Sequence, residues 1–227
     1  MTGTPALRIA AVFDAVDDDG SPYFSADRRR VVDPAERESL IRYLESAPIV
    51  LRASGFEVDP LDPAAGRAVP LSYRTDGVWV WQDASAYYLR TRGCAPDDDL
   101  VAHIAARDFQ APSTVPDELS DKAAELAMST APPPPPTGRQ RATYFASMLN
   151  ARYTPEHPSG LWRQWRTEQG ARMDESLPRT MVWSRTSAFI DIELGESDKE
   201  YQEIAPRLAA RIADRWWSDW RTDRPGT

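Results

Sequence analysis

Five consecutive prolines, Pro132 to Pro136, constrain this chain more than any other feature of its sequence. Each ring holds φ at about −65° and removes the backbone N–H, so the run fits neither a helix interior nor the middle of a sheet. It reads as a short, extended spacer of the polyproline II type. The same residues also have the composition of an SH3-type ligand, which is the alternative reading. As a spacer, the run divides 227 residues into two small folded bodies. The expected division is an acidic lobe over 1–110, a helical and Pro-rich linker over 111–138, and a second lobe over 139–227. Charge follows the seam, with 12 basic and 18 acidic residues over 1–110, 1 and 4 over 111–137, and 14 and 13 over 138–227.

Composition places both bodies among soluble globular proteins, at 41% hydrophobic and 27% charged residues. No stretch approaches the roughly 18 apolar residues of a membrane helix, and Met1 to Ala11 lacks the cationic-then-apolar pattern of a signal peptide. The expectation is a cytoplasmic protein that touches no membrane. The lone Cys94 cannot form an internal disulfide, and with only His103 and His157 beside it the usual four-ligand Cys/His zinc site is excluded. No metal and no cofactor is expected. A net charge of −8 has the wrong sign for a nucleic-acid binder and points to a basic or neutral protein partner. Oligomeric state is left open.

Local signals give an α+β chain in which β-hairpins pack with amphipathic helices. Arg8 to Val16 and Tyr23-Phe24 flank the turn Asp17-Asp18-Asp19-Gly20 as a hairpin. Asp33-Pro34-Ala35-Glu36 opens a helix with a capping-box pattern, carrying Leu40, Ile41 and Leu44 until Pro48 stops it, and Ile49-Val50-Leu51 is a buried strand. Asp76-Gly77, between two runs of β-formers, predicts a two-residue type I′ hairpin pairing Thr75 with Val78 and Arg74 with Trp79. Asp83 then caps a helix that ends at Gly93, and Asp97 to Asp99 begin another with Leu100, Val101 and Ile104 as its stripe. Beyond the prolines, Tyr144, Phe145, Met148 and Leu149 predict one helix, and Leu161, Trp162 and Trp165 a second. Met181 to Leu194 alternates like a strand, and Ser197-Asp198-Lys199-Glu200 predicts the cap of a last helix with the stripe Tyr201, Ile204, Leu208, Ile212, Trp216, Trp220. Pro206 should kink that helix or start a second segment.

Few motifs carry chemistry. With Gly20 at the sixth position of a calcium loop, Ala15 and Ala26 would stand where two ligands are required, so a turn is the better reading. GxxxxGK[ST], GxGxxG and HExxH are missing. Cys94 with His103 is a conceivable nucleophile and base, His157 sits in a proline-bounded loop, and Asp191 with Glu193 is the most suggestive carboxylate pair, yet each has an ordinary structural explanation. The eight tryptophans are more informative, because Trp, Tyr and Arg dominate binding hot spots. The candidate partner-binding set is Tyr73, Arg74, Asp76, Trp79, Trp81, Tyr87, Tyr88 and Trp217, with Arg74 stacked on Trp79. The same hairpin residues also suit a core pair packed against the Tyr87-Tyr88 helix.

Leu71 to Trp81, followed by Ala86-Tyr87-Tyr88-Leu89, resembles an "RTDGxWxW…YYL" core shared by uncharacterised proteins of high-G+C Gram-positive bacteria, over about 30 residues. The resemblance implies an immunity or antitoxin role beside secreted toxins and carries no catalytic residues. The leading expectation is therefore a non-enzymatic inhibitor of a toxin or effector. The alternatives are a small-molecule enzyme using carboxylates in a cleft between the lobes, or a secretion-associated chaperone or scaffold.

Overall fold

The computed structural model describes residues 6–129, 142–167, 169–193 and 199–222. The proline run and Ser197-Asp198 lie outside the described residues. The fold is α+β and divides into two units, residues 6–22 with 29–129 in one, and residues 23–28 with those from 142 onward in the other. Among the described residues no helix is long and apolar enough to cross a membrane.

The first unit starts with β1 (Arg8–Ile9), followed by β2 (Ala15–Val16) and β3 (Pro22–Tyr23), which form a small hairpin. Asp17 makes that turn, its carboxylate accepting from the Asp19 and Ser21 amides. The expected long strand from Arg8 is broken, because Arg8–Ile9 pairs elsewhere. Then come α1 (Pro34–Ser46), β4 (Ile49–Leu51), β5 (Phe56–Val58), β6 (Arg67–Pro70), β7 (Tyr73–Thr75), β8 (Trp79–Gln82), α2 (Ala84–Arg92), α3 (Asp98–Ala105) and α4 (Asp117–Met128). A four-stranded sheet runs β1-β8-β7-β4, with β1 parallel to β8 and the other pairs antiparallel.

Side chains alternate across β8 as a strand requires. Trp79 and Trp81 enter a core with Leu40, Leu44, Leu89, Leu100 and Ile104, while Val80 points to the opposite face against Ala123 and Ala127. The sheet is thus a middle layer between α1–α3 and α4. Asp33 caps α1 by accepting from the Ala35 amide, but Glu36 does not reach back and instead takes both oxygens to the Arg29 guanidinium. Asp97 caps α3 through the Asp99 amide, and Gly93 ends α2 in the left-handed conformation that favours glycine. The helix at 117–128, expected as part of a linker, is a structural layer. Its spacing of Ala123 and Ala127 lets a helix approach the sheet closely.

The second unit contains β9 (Thr143–Met148), β10 (Gly160–Arg166), β11 (Arg172–Leu177), β12 (Ser184–Arg185), α5 (Ala188–Glu193), β13 (Glu200–Ile204) and α6 (Pro206–Thr222). Its sheet has the order β12-β11-β10-β9-β13 and is antiparallel throughout. Two expected helices are strands, at 143–148 and 160–166. The confusion has a geometric cause, since Tyr144 and Met148, like Leu161 and Trp165, are four apart, and residues i and i+4 share a face in both a helix and a strand. Tyr144, Ala146, Met148 and Leu161 are buried on the side that α6 covers. On the other side Phe145, Trp162 and Tyr201 gather around Phe189 of α5, with ring centroids 5.0 to 6.2 Å from it.

The strand expected over Met181 to Leu194 is therefore a short strand and a helix. Phe189, assigned to its polar face, is buried, and Ile190, assigned to its apolar face, is half exposed. Of the expected capping box Ser197 and Asp198 lie outside the described residues, and Glu200 opens β13. Pro206 occupies the first position of α6 and starts the helix there.

Residues 23–28 belong to the second unit although they lie deep in the N-terminal sequence, and one guanidinium explains why. Arg163 bonds Glu175 at 2.7 Å and pairs with Asp27, while Trp183 stacks on its face at 4.5 Å. Trp183 Nε1 donates to the Ala26 carbonyl at 2.9 Å, Trp165 Nε1 donates to Glu175, and Ser25 Oγ lies 3.3 Å from the Tyr144 hydroxyl. Asp27 and Glu175 compensate a largely desolvated cation, and removing one leaves the other groups poorly balanced.

Two outcomes check this architecture. Ala123→Arg, silent if 111–129 were a linker, should lower the urea stability of the first unit by about 2 kcal/mol or more. Asp27→Ala should raise amide exchange across 23–28 and in β10 and β11 while leaving exchange in α1 and α3 unchanged.

Candidate functional site

The hairpin set expected to meet a partner is mostly interior. Trp79, Trp81 and Tyr88 are 2%, 0% and 1% exposed, and Asp76 is buried with them. Tyr73, Arg74 and Tyr87 are half-buried. The expected register is also corrected, because Thr75 pairs with Val80, Arg74 with Trp81 and Tyr73 with Gln82. A type I′ turn needs positive φ at both central residues, and here only Gly77 has it, at 88°. Asp76 instead turns its carboxylate onto the chain ahead, accepting from the Val78 amide at 2.9 Å and the Trp79 amide at 2.8 Å, which lengthens the connection by two residues.

The other oxygen of Asp76 accepts from the Tyr43 hydroxyl at 2.6 Å and lies 2.7 Å from His103 Nε2. Arg74 does not stack on Trp79. It bonds Asp83 at 2.6 Å and the Ala47 carbonyl at 2.7 Å, and Arg8 takes the place over Trp79 at 3.9 Å. Asp83, held by Arg74, makes no side-chain cap on α2. Tyr87 and Tyr88 both donate to buried Asp59. Cys94 accepts from Arg30 while His103 faces Asp76, so the two belong to different networks. Each of these polar groups binds a neighbour in its own unit, and together they make a framework.

Burial alone pushes the Asp76 carboxyl up, but hydrogen bonds from Tyr43, the Trp79 and Val78 amides and His103 together hold it below the ordinary carboxylate value. Burial and then Asp76 raise the Tyr43 phenol. A depressed carboxyl contributes stability that is present above the unfolded value of about 3.9 and lost as pH falls through the folded one. A raised phenol contributes stability that is present below about pH 10 and lost as pH rises through its folded value.

The second unit carries the open site. A cleft of about 1010 Å³ lies between α6 and the loops leaving β9 and β11. Trp216, Asp219 and Trp220 line it from one face of α6, at the i, i+3, i+4 spacing that brings side chains together. Tyr153 comes from the β9–β10 connection, and Leu177, Arg179 and Met181 come from β11 and the turn after it. Met181 has φ of 59°, a strained conformation for a residue other than glycine, at the wall of the cleft. Arg215 donates to the Glu156 carbonyl at 2.7 Å and ties the β9–β10 connection to α6. His157 is exposed in that connection, bridged to Thr154 through the backbone.

Trp217, expected as a contact residue, is buried at 2% exposure and stacks on Trp220 with centroids 5.0 Å apart, whereas Trp216 and Trp220 reach the cleft. The expected stripe runs through a strand and a helix, with Tyr201 and Ile204 on β13, and it set Trp216 and Trp220 on the apolar line and Trp217 beside it, whereas Trp217 is the buried ring. Helical phase begins again at Pro206, and the buried residues of α6 are Ala209, Ala210, Ile212, Ala213 and Trp217, so Ile212 keeps its expected place. Tyr153, Arg179 and Met181 had no signal in the sequence, since they come from loops far apart along the chain. Asp191 stands on α5 beside Ser187, so the carboxylate pair expected on a strand face does not form in that way.

No family model, curated protein or solved structure matches this chain.

Asp76→Asn should lower stability at neutral pH by about 2–3 kcal/mol, since it weakens charge-assisted bonds in a buried network. It should also flatten the loss of stability below pH about 4, followed by urea unfolding across the acid range. An acid limb as steep as that of the wild type would refute the role given to this carboxylate.

Proposed function

We propose that this chain is a non-enzymatic protein-binding protein of the immunity or antitoxin type, holding a basic or neutral protein partner in the cytoplasm through the aromatic cleft of its second unit. The observation that carries this reading is the lining of the cleft. Two tryptophans, a tyrosine, a methionine and an arginine converge there, the residue types that supply most binding energy at interfaces because they bury large area at low entropic cost. Asp219 adds an acceptor for a basic side chain of the partner. The net charge of −8 favours rapid association with a basic protein and a salt-sensitive on-rate. The inhibitor role comes from the resemblance of the Leu71–Trp81 segment, whose own aromatics serve the core. The binding surface is therefore moved from the hairpin to α6.

The test is affinity purification of the tagged full-length protein from its native cell, at low and moderate salt, beside a Trp216→Ala/Trp220→Ala variant. The expected result is one stoichiometric protein partner, weakened by salt and lost from the variant, with each ring contributing about 2 kcal/mol, roughly thirtyfold in Kd. A partner retained in full by the folded variant would remove the cleft from the interface. A partnerless protein at low salt would overturn the binding reading itself.

A further inference from the structure

β5 is the second unusual surface, and it lies in the first unit. Its three residues, Phe56, Glu57 and Val58, are all exposed, and the two apolar ones stand at 50% and 49%. Among the described residues β5 pairs with β6 alone, through Phe56 with Pro70, Glu57 with Val69 and, past a bulge that sets Ala68 of β6 out of register, Val58 with Arg67, so the extra residue lies on β6 and β5 itself runs on without an insertion. Its outer edge thus presents unpaired backbone groups beside two large apolar side chains. Proteins ordinarily blunt such an edge with charge, proline or a cover, because it templates pairing with another strand.

Alternation decides which strand fits. Phe56 and Val58 share one face of β5, and Glu57 points to the other. If a second copy paired antiparallel about Glu57, Phe56 would meet Val58 favourably on one face, but Glu57 would stand opposite Glu57 on the other. Like charges directly opposed across a strand pair are destabilising, so the edge is open to a partner and closed to itself. A strand with Lys or Arg between two apolar residues keeps the apolar contacts and turns the repulsion into an ion pair.

We propose that β5 is a strand-addition site that takes an extended segment of a protein partner carrying a basic residue flanked at both sides by apolar ones. Backbone hydrogen bonds to the free edge supply affinity, and the apolar–basic–apolar pattern supplies specificity. The site goes beyond the cleft reading and does not depend on it, since none of its residues lines the cleft.

The chain itself provides the probe. Its Glu57→Lys variant carries the sequence Phe56, lysine, Val58, which is the proposed recognition pattern. Wild-type protein and the variant are sedimented separately and as an equimolar mixture, at low and moderate salt. Each alone should remain monomeric. The mixture should form a heterodimer about tenfold tighter than either self-association, weakened by salt, and lost when Val58→Pro is added to one partner. Circular dichroism of each variant establishes that it is folded. A mixture of folded monomers would overturn the proposal, as would a heterodimer that survives Val58→Pro. Dimerisation of the wild type by itself would assign the edge to a second copy instead.

Discussion

A buried carboxylate organises the first unit. Asp76 takes the free amides of its own turn with one oxygen, and with the other it joins Tyr43 of α1 to His103 of α3. An ionised group in the interior is costly unless its lone pairs are filled, and here four donors converge on it. That requirement brings the hairpin end, α1 and α3 to one point. Trp79 and Trp81 are then carried inward to meet Leu40, Leu44 and Ile104, and Val80 outward to meet α4. The aromatic content of the hairpin, which suggests a contact surface when read along the chain, is what fills the space around this junction.

The second unit depends on a cation in the same way. Arg163 gathers Asp27, Glu175 and Trp183, and in doing so it draws six residues from the N-terminal part of the chain onto a sheet built from the C-terminal part. The polypeptide therefore passes between the units at 22–23 and again at 28–29, as well as through the proline segment. This explains why no simple cut at the prolines reproduces the two bodies. The far part of α6 contributes Trp216 and Trp220 to an open cleft, and Trp217 is buried beneath them.

Much of the local structure was legible because its signals are short-range. Asp33 with Pro34, Asp97, Gly93 and Pro206 each act on their own backbone, through a cap, a fixed φ or a tolerated positive φ, and the structure places them as such. The turn at Asp17 to Gly20 was legible for the same reason. Amphipathic runs of five or six residues were not, as β9, β10 and α5 show. Over so few positions the periods of helix and strand coincide, and which one forms depends on whether another strand lies alongside.

The candidate surfaces divide along the same line. By itself the sequence determined the α+β class, the starts of α1 and α3, the stops of α1 and α2, the acidic balance and the abundance of tryptophan, because each is a property of single residues or near neighbours. Tertiary structure alone decided which tryptophans are core and which line a cleft, that Arg8 and not Arg74 lies over Trp79, that residues 23–28 serve the second unit, and that Phe56 and Val58 stand exposed on a strand paired, among the described residues, with β6 alone. The physical reason is that burial and pairing are set by groups distant along the chain. A side chain's chemistry is local, but whether it faces solvent depends on what the rest of the chain brings against it.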